Sequence, residues 1–130
     1  MNKRKRGIYI APGRRPWQHE LRVAELLALE GHYVEFLKEG LLASADIRLD
    51  GIEFEIKSPE RFNPNTFEHT IRDAIKQSAN IIVDTSRMKR VRDCQVQRFL
   101  IGQVYKNTRI KRLIMVTKQG KVVDIMALVC

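Results

Sequence analysis

Cysteine is scarce in this chain: there are two, Cys94 and Cys130, and their spacing suits neither a metal site nor a disulfide-framed fold. Cys94 reads as a buried thiol and Cys130 as a chain end, which suits a reducing cytosol. The three histidines, His19, His32 and His69, also lack zinc-ligand spacing. No glycine-rich phosphate loop and no nucleophile elbow is present, which argues against nucleotide-triphosphate chemistry and serine-type hydrolysis. No apolar run approaches the roughly 20 residues of a membrane span, and "MNKRKRGIYIAPG" lacks the apolar stretch of a signal peptide. What remains is the composition of a soluble globular domain, 44% hydrophobic and 30% charged, with 130 residues to bury one core.

Positive charge is present in excess and is unevenly placed. Of the net +9, residues 1–65 carry 11 basic against 10 acidic groups, whereas residues 66–130 carry 13 against 5. Clusters lie at Lys3–Arg6, Arg14–Arg15, "RMKRVR" (87–92) and "RIKR" (109–112). A polyanion partner accounts for this bias, and nucleic acid fits better than a membrane because no helix separates a basic from an apolar face. The competing explanation is a surface charged only for solubility.

The chain reads as one domain over 16–130 behind a basic tail or arm over 1–15, whose first residues are expected to be disordered. "GIYIAP" (7–12) is a short strand or extended arm. Pro16 opens a helix to about Glu30, closed by Gly31. "HYVEF" (32–36) is a strand, 37–44 a loop, and 46–57 a hairpin turning at Asp50-Gly51. Asn65, with Glu68 three residues on, suggests a capped helix to about Ala79. "NIIVD" (80–84) is a strand covered on both faces. A helix over about 91–106 and a hairpin over 112–126, turning at Gln119-Gly120, complete the order (β)αβββαβαββ. The helix between strands 52–57 and 80–84 is long enough for a right-handed parallel crossover, so an α/β domain with a mixed sheet flanked by helices is expected.

The hairpin holds the chemical question. With Asp50 and Gly51 in the turn, Arg48 faces Glu53, Ile47 faces Phe54 and Asp46 faces Glu55. Ile47, Leu49, Ile52, Phe54 and Ile56 share one face; Asp46, Arg48, Glu53, Glu55 and Lys57 share the other. Arg48 opposite Glu53 is an ordinary ion pair, but two opposed carboxylates destabilise a hairpin unless something positive joins them. A second oddity is Glu20. It falls inside the apolar arc of the first helix (Trp17, Leu21, Val23, Ala24, Leu27, Ala28), where an unpaired charge would cost several kcal/mol. A salt bridge to Lys57, Arg48 or another base would explain it; so would a place in a site with the hairpin acids. Trp17 itself reads as core.

The spacing Asp46-x8-Glu55-x-Lys57 on adjacent strands, behind a helix with an inward glutamate, resembles the PD-(D/E)XK nuclease superfamily, and αβββαβ over 16–84 is similar to its core. The stretch "HELRVAELLALEGHYVEFL…ADIRLDGIEFEIKSP…IRDAIKQSANIIVD…RIKRLIMVTKQGKVVDI" more specifically resembles the C-terminal toxin domain of contact-dependent growth inhibition proteins, of the tRNase type, over about residues 18–126. Ala45 stands where the superfamily often has proline, and the helix bearing Gln77 lacks the tyrosine of related exonucleases, so processive exonuclease action is not implied. The resemblance implies a metal-dependent endonuclease acting on RNA, tRNA foremost, in the cytoplasm, whether as an effector delivered into a target cell, a stand-alone enzyme or a mobile-element protein. It also implies a cognate immunity protein, expected to be acidic. DNA cleavage by the same fold, or a non-catalytic nucleic-acid-binding module, are the alternatives.

The residues support such chemistry directly. Two adjacent carboxylates become favourable around a divalent cation, and oxygen ligands suit Mg²⁺ or Mn²⁺. Lys57 can orient a water or stabilise charge on phosphate oxygens. By resemblance, the Ile56 carbonyl is a further ligand and Glu20 holds the metal's water shell. A solvated hairpin face with spare charges is the simpler reading. On the second helix Thr70, Asp73 and Gln77 edge the apolar stripe, and Gln77 resembles a position near the family's active site. His69, Arg72 and Lys76 share its outer face and could meet phosphates, as could Arg87, Lys89, Arg90 and Arg92.

Overall fold

The computed structural model describes residues 6–38 and 45–129. Lys3–Lys5 of the basic tail, 39–44 of the expected loop and Cys130 lie outside the described residues.

Among the described residues three helices and seven strands follow in the order β1 (Gly7–Ile10), α1 (Gln18–Leu29), β2 (Tyr33–Phe36), β3 (Ile47–Leu49), β4 (Ile52–Lys57), α2 (Pro64–Gln77), β5 (Asn80–Asp84), α3 (Asp93–Lys106), β6 (Arg112–Val116) and β7 (Val122–Asp124), with a final 3₁₀ turn over Ile125–Leu128. The strands form one curled sheet in chain order. Pairs β1–β2, β4–β5 and β5–β6 are parallel, and each is bridged by one of the helices. The remaining pairs are antiparallel. The β3–β4 hairpin has the expected register, with Ile47 against Phe54, Arg48 against Glu53 and Leu49 against Ile52. Its turn uses left-handed backbone at both Asp50 (φ 50°) and Gly51 (φ 84°), as a two-residue turn with matched twist requires.

Two apolar layers cover the sheet. On one face α1 buries Val23, Ala24 and Leu27 against Val34, Phe36, Ile47, Leu49, Phe54, Ile56 and Ile82. On the other, Phe67, Ile71, Ala74 and Ile75 of α2 and Val96 and Leu100 of α3 pack on Ile81, Val83, Leu113 and Met115. Strand β5 is thus covered on both sides, which is why its sequence is a continuous apolar run.

Several boundaries differ from the sequence reading for local reasons. Of the two readings of 7–12, a short strand or an extended arm, the strand is the one found, over Gly7–Ile10, and Ala11 N–H continues the pairing by donating to the Phe36 carbonyl at 3.1 Å. Trp17 is not core: it precedes the first turn of α1, is 71% exposed, and its ring stacks near His19 with centroids 6.5 Å apart. Helix α2 is capped by Asn63, whose Oδ1 accepts from Asn65 and Thr66 N–H, with Pro64 in the first turn. The expected Asn65–Glu68 cap is replaced, and Glu68 instead meets Arg72 at 3.0 Å. Cys94 is exposed rather than buried, because it sits in the first turn of α3.

Candidate functional site

Strand β4 ends with Glu55, Ile56 and Lys57, and its parallel partner β5 aligns Glu55 with Ile81 and Lys57 with Val83. Since Ile81 and Val83 belong to the layer under α2 and α3, Glu55 and Lys57 project from that same face. Asp46 immediately precedes β3 and continues the hairpin opposite Glu55. Its Oδ2 accepts the Ile56 N–H at 2.9 Å, so the side chain is fixed by main chain rather than left to solvent. Lys57 Nζ lies 3.4 Å from Glu55 Oε2.

The pair of acids is electrostatically uncomfortable. Glu55 is buried, and burial first, then the Asp46 charge and a hydrogen bond with its carboxyl, push its pKa up from 4.5 to about 7; Lys57 pulls the other way. One ammonium beside Glu55 does not meet the demand of two carboxylates for positive charge. Arg48 and Glu53, further along the same face, form a half-exposed pair at 4.0 Å.

Glu20 is accounted for differently. Its Oε1 accepts the Trp17 N–H at 2.8 Å, closing the first turn of its own helix, and Oε2 lies 3.7 Å from Arg14 Nη2. Arg14 is buried, with its guanidinium 5.6 Å from the centre of the Phe36 ring. Phe36 pairs with Ile47, so this couple sits near the end of the sheet where Asp46 lies, but on the face covered by α1. The structure therefore unites Asp46, Glu55 and Lys57 and gives Glu20 other partners. Among the described residues no three His, Cys, Asp or Glu side chains gather as a metal-ligand set.

The sequence reading passed over a buried polar knot beside the site. Asp84, fully buried at the end of β5, accepts from Ser58 Oγ (3.1 Å), Ser86 N and Oγ (3.0 Å each) and Arg22 Nη1 (3.5 Å). Arg22 also donates to the carbonyls of Thr117 and Lys118 at 3.0 and 2.9 Å. Asp84 thereby ties α1, the residue after Lys57 and the β6–β7 turn together. An aspartate ending an otherwise apolar buried strand was the available signal, since a charge there must be saturated with donors.

The expected nucleic-acid contacts divide into two groups. On α2, Arg72 pairs with Glu68 and Lys76 with Asp73 at 3.6 Å, while Thr70 Oγ1 back-bonds to the Thr66 carbonyl; His69 and Gln77 are exposed. In the segment after β5, Arg87 pairs with Glu60, and Lys89, Arg90 and Arg92 are exposed.

Fold and site together define a mixed α/β domain with an acid–acid–lysine set at one end of its curled sheet. Residues 43–122, more than half of the chain, match the family model described as the contact-dependent growth inhibition CdiA C-terminal domain, and the chain belongs to that family. No curated protein matches the sequence. Among solved structures, a chain of the CdiA-CT/CdiI toxin and immunity complex from Burkholderia pseudomallei superposes with a TM-score of 0.72. It covers 91% of this chain and 97% of that one at 19% identity, a likeness of fold. No helix among the described residues is long and apolar enough to cross a membrane.

Proposed function

We propose that this toxin domain is a metal-dependent endonuclease with the PD-(D/E)XK active-site plan, and that RNA, tRNA above all, is its substrate. The observation that carries the reading is the Asp46–Glu55 opposition with Lys57 beside it. The residues fit a divalent cation on their own chemistry. Two buried or half-buried carboxylates with a single ammonium lack positive charge, and an all-oxygen set with room for water is what Mg²⁺ or Mn²⁺ favours. Asp46, Glu55 and the Ile56 carbonyl would hold it; Glu20, already bound to Arg14 and to its own helix, is left outside the set. When bound, the cation would supply charge against the phosphate and acidify a water at that position.

The protein groups have distinct tasks. Asp46, pinned by the Ile56 N–H, presents its second oxygen without rotamer search. Lys57 places an ammonium where it can donate to the attacking water or to a phosphate oxygen as negative charge builds there. Water adds to phosphorus, one P–O ester bond breaks, and the departing oxygen takes a proton. A mere binding module would gain nothing from paired acids amid basic surface, since they repel phosphate.

The net charge of +9, and a structural relative solved with its immunity partner, support a cognate acidic immunity protein for this domain. Action in the cytoplasm of a target cell follows from the same reading. The test is incubation of the purified protein with total RNA and with plasmid DNA, in Mg²⁺ or EDTA. RNA cleavage in Mg²⁺ alone is expected; cleavage unaffected by EDTA overturns the metal role, and cleavage of plasmid alone shifts the substrate to DNA.

A further inference from the structure

A cavity of about 550 Å³ opens between the segment after β4 and the segment after β5, lined by Arg61, Phe62, Arg87, Lys89, Arg90 and Gln95. Adjacent parallel strands release both segments at their carboxyl ends, where open parallel sheets bind ligands. Lys57 is the last residue of β4, so the cavity wall begins three or four residues, at most about 10–14 Å of chain, from the proposed cleavage centre.

Its charge is specific. Glu60 on the rim is satisfied by Arg87. No carboxylate among the described residues pairs with Arg61, Lys89 or Arg90. Arg90 is also held at φ 60°, left-handed backbone that a long side chain adopts only when its surroundings impose it. The same cavity has an aromatic side: Phe62, which also lines it, packs edge-on against Phe67 and Phe99, with centroids 5.9 and 5.6 Å away, which fixes its ring. Cations with no carboxylate partner among the described residues and an anchored ring, lining one space of small-ligand size, suit a phosphate joined to a base better than a bare anion.

We propose that this cavity is a nucleotide subsite, which takes a phosphate of the substrate strand among Arg61, Lys89 and Arg90 and sets the adjoining base against Phe62. The proposal deepens the nuclease reading and rests on it for the identity of the strand, but it can be tested without cleavage. The ¹⁵N-labelled protein is titrated in EDTA at low salt with 5′-AMP, ribose 5-phosphate, inorganic phosphate and polyglutamate. AMP should perturb the amides of 61–62 and 87–91 and bind more tightly than ribose 5-phosphate. Arg61→Ala should weaken AMP about tenfold, the equivalent of about 1.4 kcal/mol. Phe62→Leu should bring AMP down to the affinity of ribose 5-phosphate; if that variant unfolds, the exposed Arg61→Ala still decides. Equal affinity for AMP and inorganic phosphate overturns the base contact. Polyglutamate acting at these amides where AMP does not overturns the subsite and makes it a protein-docking surface. Cleavage of RNA without AMP binding here would sink the subsite and leave the nuclease standing; AMP binding without cleavage would do the reverse.

Discussion

Lys57 separates a structural from a catalytic account of the hairpin more sharply than any other residue. If its task were to neutralise Glu55, 3.4 Å away, Lys57→Met would leave two acids together and weaken the fold. If its task is at the attacking water, the fold persists in saturating Mg²⁺, nucleic acid still binds, and cleavage falls roughly a hundredfold or more. We expect the second outcome, and expect Lys57→Arg to restore little, because a planar guanidinium does not replace a compact ammonium. Asp46→Asn keeps an acceptor for the Ile56 N–H, so it should fold normally and bind substrate at least as well while losing cleavage. Comparison of melting temperature, binding and rate for the three variants checks these expectations.

Glu55 also makes stability depend on pH with a definite sign. Its folded pKa of about 7 lies above the ordinary 4.5, so the folded state holds this proton more tightly than the unfolded chain. The resulting stability is complete below about pH 4.5 and is lost as pH rises toward 7, at about 1.4 kcal/mol per unit at most. In EDTA this carboxyl should therefore make the protein less stable at pH 8 than at pH 5.5, and Glu55→Gln should flatten the difference. Mg²⁺ favours the ionised form, so its binding should release close to one proton at pH 6, measurable by calorimetry in buffers of different ionisation enthalpy. No proton release would mean that Glu55 does not meet the metal.

At the level of elements, the hairpin was the most legible part of the chain. Asp50-Gly51 fixed the turn, the turn fixed the register, and the register brought Asp46 to Glu55. The strand over 80–84 was legible for a similar reason, since burial on both faces leaves an unmistakable run. The partner of Glu20 was not legible. Arg14 reaches it because β1 docks on β2, a pairing of four residues whose sequence carries no turn signal. The apolar arc of α1 likewise misassigned Trp17, as helical periodicity cannot tell a first-turn residue from one just before it. The segment after β5 was visible as a basic run, but its cavity depends on Arg61 and Phe62, distant in sequence. Replacing Arg87, Lys89, Arg90 and Arg92 together with alanine should weaken nucleic-acid binding. It should also flatten the dependence on salt, by about 0.7 in the log–log slope for each single-strand phosphate that these side chains neutralise. An unchanged affinity and slope would turn this segment away from the substrate.

Across the whole molecule, the placement of the helices has a consequence for chirality. Strands β1 and β4 run the same way, and from each the chain moves to the next strand in the same lateral direction. Yet α1 covers one face while α2 and α3 cover the other. The β1–α1–β2 connection must then wind with the opposite hand to the two later crossovers. About 98% of such connections are right-handed, so the two later crossovers are expected to follow the rule and the β1–α1–β2 connection to break it. Strand β1 is also the edge of the sheet, paired among the described residues on β2 alone, and the Arg14–Glu20 contact ties the segment that leaves it to the helix of that same unusual connection.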